Sequence, residues 1–262
     1  MRCIAIANQK GGAAKTTTTV NLAAALAEQA RRVLVVDLDP QGNSTDWLGV
    51  VGAGRGVFEF LTGQASLADV TIGSTTANID VVAATRALQG IERALASEVG
   101  SELTLRRKLR APEAAGWDYM LIDTPPTLGI LTLNGLTAAR ELIVPVETHV
   151  LALQGVAQLI ETFIAVRERL NPELALAGVV ACRVDSRTRH SADVVERLRG
   201  TFKGTMYRTE IRENIRLAEA PSFRRPILQY DPRSSGAADY RALAAEVLAQ
   251  ETDDKTSLRA AD

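Results

Sequence analysis

Residues 3–17 read Cys3-Ile4-Ala5-Ile6-Ala7-Asn8-Gln9-Lys10-Gly11-Gly12-Ala13-Ala14-Lys15-Thr16-Thr17, and a helix-compatible segment, 18–30, follows directly. An apolar strand, a short loop and a helix in this order turn successive backbone N–H groups and a helix N-terminus toward a phosphate. In such a loop a lysine reaches the β/γ oxygens and a hydroxyl ligates Mg²⁺, roles that suit Lys15 and Thr16. The strict pattern has glycine immediately before that lysine, whereas this chain has Ala14. Taken alone, the stretch reads equally well as a tight strand-to-helix turn.

Two acidic motifs further along favour the phosphate reading. Residues Val33 to Val36 form an apolar run that ends in Asp37-Leu38-Asp39-Pro40-Gln41-Gly42-Asn43, and Tyr119 to Ile122 form another that ends in Asp123-Thr124-Pro125-Pro126. Ligands of open α/β sheets bind at the C-terminal ends of the strands, and a carboxylate there can meet a phosphate-bound metal directly or through water. Single strand-terminal aspartates usually cap turns. Three carboxylates converging on one phosphate loop point instead to a metal–nucleotide site.

Further buried-strand runs span 79–82, 142–146 and 176–181, beyond the first at 3–7. Helical spacing separates them, as in Val156, Leu159, Ile160 and Phe163, or in Tyr240, Leu243, Ala244, Val247 and Leu248. The expected fold is α/β, a doubly wound and mainly parallel sheet flanked by helices. One domain is expected over 1–250, with a glycine-rich loop at 49–56 and a polar tail over 251–262. The chain has 262 residues, a net charge of −1 and 46% hydrophobic residues, so any surface for nucleic acid must be local. Cys3 and Cys182 lack metal-site spacing, and no apolar run suggests a signal peptide or a membrane span. A cytoplasmic location and no membrane partner are therefore expected.

The motifs Lys10-Gly11-Gly12 to Thr17, Val36 to Asn43 and Leu121 to Pro126, with Leu217 to Ser222 and Tyr230 to Ser234, resemble the ParA/Soj family of deviant Walker-A ATPases. The resemblance runs over about residues 2 to 250. It implies a fold of the P-loop type and the cofactors ATP and Mg²⁺, cradled by Lys10, Gly11, Gly12, Ala13, Ala14, Lys15, Thr16, Thr17 and Asp123. Lys10 matches the signature lysine that crosses an ATP-dependent homodimer to the partner's phosphates; otherwise it is a solvated loop lysine. The catalytic set implied is Asp39, Lys10 and Lys15, with Asp39 orienting or activating the attacking water. Thr16, Asp37 and Asp123 are the implied metal residues, and Thr124-Pro125-Pro126 resembles a γ-phosphate-sensing switch.

Between Arg183 and Arg225 eleven Lys/Arg stand against six Asp/Glu, a local excess of five positive charges. Lys/Arg neutralisation of phosphates supplies sequence-independent DNA affinity, although a basic stretch can also be a solvated face. Arg187 and Arg216 match positions at which Soj-like proteins contact DNA; Glu213 departs from the basic residue common in relatives. The resemblance thus implies non-specific double-stranded DNA and a ParB/Spo0J-like protein as partners, nucleoid association, and chromosome or plasmid segregation driven by slow, partner-stimulated hydrolysis. Positioning of a protein cargo, such as a carboxysome or chemotaxis cluster, is the alternative within the family. A MinD-like regulator would end in a basic amphipathic helix, unlike Glu251 to Lys255, and a nitrogenase-iron-protein-like reductase would need cluster cysteines.

Overall fold

The computed structural model describes residues 1–109, 116–148 and 152–259, with the side chains of 152–154 and 252–259 outside the description. The first half of the chain runs β1 (Arg2–Ile6), α1 (Lys15–Glu28), β2 (Val33–Asp37), α2 (Asn43–Trp47), α3 (Val57–Leu61), α4 (Leu67–Val70), β3 (Thr71–Gly73), β4 (Ile79–Val82), α5 (Ile91–Leu95) and α6 (Thr104–Leu109). It continues with β5 (Tyr119–Asp123), α7 (Ile130–Ala138), β6 (Glu141–Glu147), α8 (Ala152–Arg169), β7 (Ala175–Val184), α9 (Arg189–Thr201), β8 (Ile211–Arg212), α10 (Ile215–Glu219), α11 (Ile227–Tyr230) and α12 (Ser235–Arg259).

The eight strands form one sheet in the order β3-β4-β2-β5-β1-β6-β7-β8. All neighbours are parallel except β3 and β4. Strands β2 and β5 are buried at every position, which is why they read as unbroken apolar runs and not as alternating ones. One layer, including Phe60, Leu136, Leu159 and Phe163, packs on one face of the sheet. The other face is covered by α1 and α12 through Leu22, Leu26, Tyr240, Leu243 and Val247. Helix α1 is buried along almost its whole length, so its alanines let it lie close to the sheet.

The chain leaves β1 toward β2 on one side, returns through β5, and then passes to β6 on the other. This change of direction opens a crevice at the C-terminal end of β1, the usual ligand position in doubly wound sheets. The fold therefore agrees with the expected α/β sheet, and each predicted strand is present. Two short strands, β3 and β8, were not foreseen. The helical backbone of α12 continues to Arg259, past residue 250 where the sequence reading begins a polar tail.

Candidate functional site

The loop between β1 and α1 is shaped by two left-handed residues. Gly12 has φ +79 and Ala14 φ +60, so the alanine adopts a conformation that glycine would enter without a β-carbon penalty. The turn is closed by the Ala14 N–H donating to the Gly12 carbonyl at 2.8 Å and by the Ala13 N–H donating to the Lys10 carbonyl at 3.3 Å. Asn8 anchors its entry, donating to the Pro145 carbonyl at 2.7 Å and accepting the Lys10 N–H at 3.0 Å.

Residues 11–17 line a cavity of about 480 Å³ together with Asp39, Gln41, Trp47, Pro126 and Pro221. Lys15 is 6% exposed, and its ammonium donates to the Lys10 carbonyl at 3.2 Å. Burial lowers its pKa, while the charges of Asp123 and Asp39 pull it back up. This is a hollow of backbone donors and one buried cation, suited to a polyanion.

The three sequence-predicted aspartates gather at the ends of β2 and β5. Asp37 and Asp123 are register partners on these adjacent strands. Thr16 and Ser44 hydroxyls donate to the same Asp123 Oδ2, at 2.8 and 2.5 Å. Its Oδ1 is buried without a hydrogen-bond partner. A buried carboxylate oxygen with no donor, beside a hydroxyl and a phosphate hollow, fits a hard cation that takes oxygen ligands. Asp37 is otherwise engaged: the Thr45 N–H and hydroxyl donate to Oδ2 at 2.9 and 2.7 Å, and the Asp39 N–H donates to Oδ1 at 3.1 Å. Burial pushes both carboxyls up, with mutual repulsion adding to the rise at Asp37 and the Ser44, Thr16 and Lys15 contacts opposing it at Asp123. Asp39 borders the cavity, with Oδ1 accepting the Gln41 N–H at 3.0 Å.

Lys10 lies apart from this cluster. Its ammonium is 3.4 Å from Glu147 at the end of β6, a carboxylate only 4% exposed that also pairs with Arg183 at 2.8 Å. Neither Ser44, Thr45 nor Glu147 was anticipated: Ser44 and Glu147 meet partners 36 to 137 residues away along the chain, and Thr45, only 8 residues from Asp37, belongs to no motif of its own.

A second cavity of about 850 Å³ adjoins the loop at Gly12, Ala14 and Thr17, and its far wall comes from residues 182–187 and 211–218. Arg187 and Arg216 both line this cavity. Their side chains are 83% and 58% exposed, and they pair with Asp185 at 2.8 Å and with Glu219 at 3.0 Å. Most of the basic excess between 183 and 225 is spent on such ion pairs, as for Arg199 with Glu210 and Arg212 with Asp239. The exposed pairs of Arg187 and Arg216 are worth little in water and exchange readily for other anions, whereas Arg212 is held by the buried Asp239. Among the described residues, no helix is long and apolar enough to cross a membrane.

A family model described as an AAA domain matches residues 1–176. The chain is 46% identical over 250 residues to the chromosome-partitioning ATPase Soj of Thermus thermophilus, covering 95% of this chain and 96% of that one. It is 44% identical over 250 residues to the sporulation initiation inhibitor protein Soj of Bacillus subtilis, covering 95% and 98%. A Mycobacterium smegmatis structure described as cobyrinic acid a,c-diamide synthase with bound ADP and magnesium superposes with a TM-score of 0.83 at 37% identity, covering 95% of this chain and 94% of that one. The loop, the paired strand-end aspartates and these matches over nearly the whole chain lead to one assignment: the chain belongs to the ParA/Soj family of partitioning ATPases.

Proposed function

We propose that this chain is an ATP-dependent, DNA-binding partition ATPase in which residues 1–250 act as one nucleotide-switched unit. The observation that carries the reading is the meeting of Thr16, Ser44 and the half-unpartnered Asp123 beside a phosphate hollow that holds a buried lysine. In this reading the triphosphate lies in the smaller cavity against 10–17, and the nucleoside in the larger one. Thr16 and Asp123 would hold Mg²⁺, and Asp37 would stiffen that shell from behind through Thr45. The metal neutralises phosphate charge when bound. Lys15 supplies the fixed positive charge within the subunit, and Asp39 orients water and accepts its proton as the terminal P–O bond breaks to leave ADP and phosphate. Lys10 would leave Glu147 to meet the nucleotide of a second subunit.

DNA binding would follow from the ATP dimer, which doubles the phosphate contacts available to Arg187 and Arg216. Such binding ignores sequence and weakens steeply with salt. A ParB/Spo0J-like protein would stimulate the slow hydrolysis that releases the dimer, in the cytoplasm and on the nucleoid. Retention of duplex DNA with ATP tests the surface: Arg187→Ala and Arg216→Ala should each weaken it several-fold, roughly the loss of one or two phosphate contacts per subunit. Because both arginines border the nucleoside cavity, ATP affinity must be titrated in the same variants. Unchanged retention in both, with ATP bound normally, would remove this surface from the account.

A further inference from the structure

Helix α2 follows Asp39-Pro40-Gln41-Gly42 directly, and four successive residues of it are tied in two directions. Ser44 donates to Asp123 and Thr45 to Asp37, the carboxylates of the metal–phosphate cluster. Asp46 lies 3.7 Å from Arg224, and the Trp47 indole N–H donates to the Arg225 carbonyl at 2.8 Å. Trp47 is 4% exposed and lines the phosphate cavity beside Asp39 and Pro221. The segment it grips is itself held in an uncommon shape, since Arg224 is left-handed at φ 52 and ψ 41. At its far end the Ile227 N–H donates to Asn21 of α1 at 2.7 Å, so α1 fixes one side of the segment and α2 the other.

We infer that Trp47 is a positioning residue which makes the Pro221–Arg225 segment follow the nucleotide state of the Asp37–Asp123 cluster. The inference rests on the ATP and Mg²⁺ reading above, but not on DNA binding. Among the described residues, the part-buried indole bond is the contact between α2 and the segment in which a side-chain donor meets a backbone acceptor, whereas the Asp46–Arg224 pair is exposed and contributes little. Thr16 and Asp123 would hold the metal and phosphate, and Ser44, bonded to Asp123, with Thr45, bonded to Asp37, would carry a shift of that cluster into α2. Trp47 then passes it to the basic segment through a backbone carbonyl, which moves the chain itself and not merely one arginine.

Arg224 is a tryptic site, whereas the Arg225–Pro226 bond resists trypsin because proline follows the arginine, so cleavage after Arg224 reports the state of the segment. With the parent chain, cleavage after Arg224 should differ at least about fivefold between Mg·ATP and Mg·ADP, the scale of one hydrogen bond made or released. In Trp47→Phe, which keeps a buried ring but lacks the donor, the two rates should agree within about twofold when each nucleotide is supplied at a concentration that the variant's own titration shows to be saturating. Equal rates in the parent, or a difference that persists in Trp47→Phe, would overturn the inference. A parent that binds no ATP is detected by the titration and defeats the underlying nucleotide reading. If Trp47→Phe does not fold, Trp117→Phe leaves Trp47 as the sole indole. Its emission should then change between Mg·ATP and Mg·ADP, and an unchanged spectrum is the contrary result.

Discussion

Ala14 is the residue at which sequence and structure bear most directly on each other. The sequence left open whether alanine in the glycine place of the phosphate loop is strained or benign. At φ +60 it is in the left-handed region, where a β-carbon costs about 1 kcal/mol or more. Ala14→Gly should therefore tighten ATP binding up to about fivefold to tenfold, if that cost falls on the bound state. A titration giving equal affinities would mean that free and bound loops carry the same strain. Lys10 carries the opposite lesson. Its place in the motif was readable from the sequence, but its resting partner Glu147 was not, because that contact is made by a strand end 137 residues away.

At the scale of elements, the paired ends of β2 and β5 set the electrostatics of the site. Burial raises the pKa of Asp37 and Asp123, so the folded protein holds protons there more tightly than the unfolded chain does. The stability from this source is present near pH 4 and is lost as pH rises through about 7 at Asp37 and about 6 at Asp123. Asp37→Asn removes one titration, at a pH-independent cost in hydrogen bonds to Thr45 and Asp39. Without nucleotide, its melting temperature relative to the parent should improve as pH is raised from about 5 to about 8. A difference that stays flat would mean that Asp37 is already charged at the lower pH. The strands themselves were legible because burial on both faces makes them continuous apolar runs. Three-residue β3 and two-residue β8 are too short to show any period, so the wall that β8 contributes to the larger cavity could not be seen in the sequence.

In the whole molecule, the short helix α2 touches both the carboxylate cluster at the phosphate hollow and the basic segment at Arg224 and Arg225. The hollow and the aspartates were foreseen because each is a local motif at a strand end. The link through Trp47 was hidden, since it joins positions 178 residues apart and neither carries a motif of its own. The central claim is that ATP converts this chain into a dimer through Lys10, which must exchange Glu147 for phosphates held by a second copy. Sedimentation velocity of the parent and of Lys10→Ala, each with Mg·ATP, with Mg·ADP and without nucleotide, tests this most directly. The account predicts a dimer for the parent with Mg·ATP and monomers in the other five samples; the same oligomer for the parent in all three nucleotide conditions would contradict it.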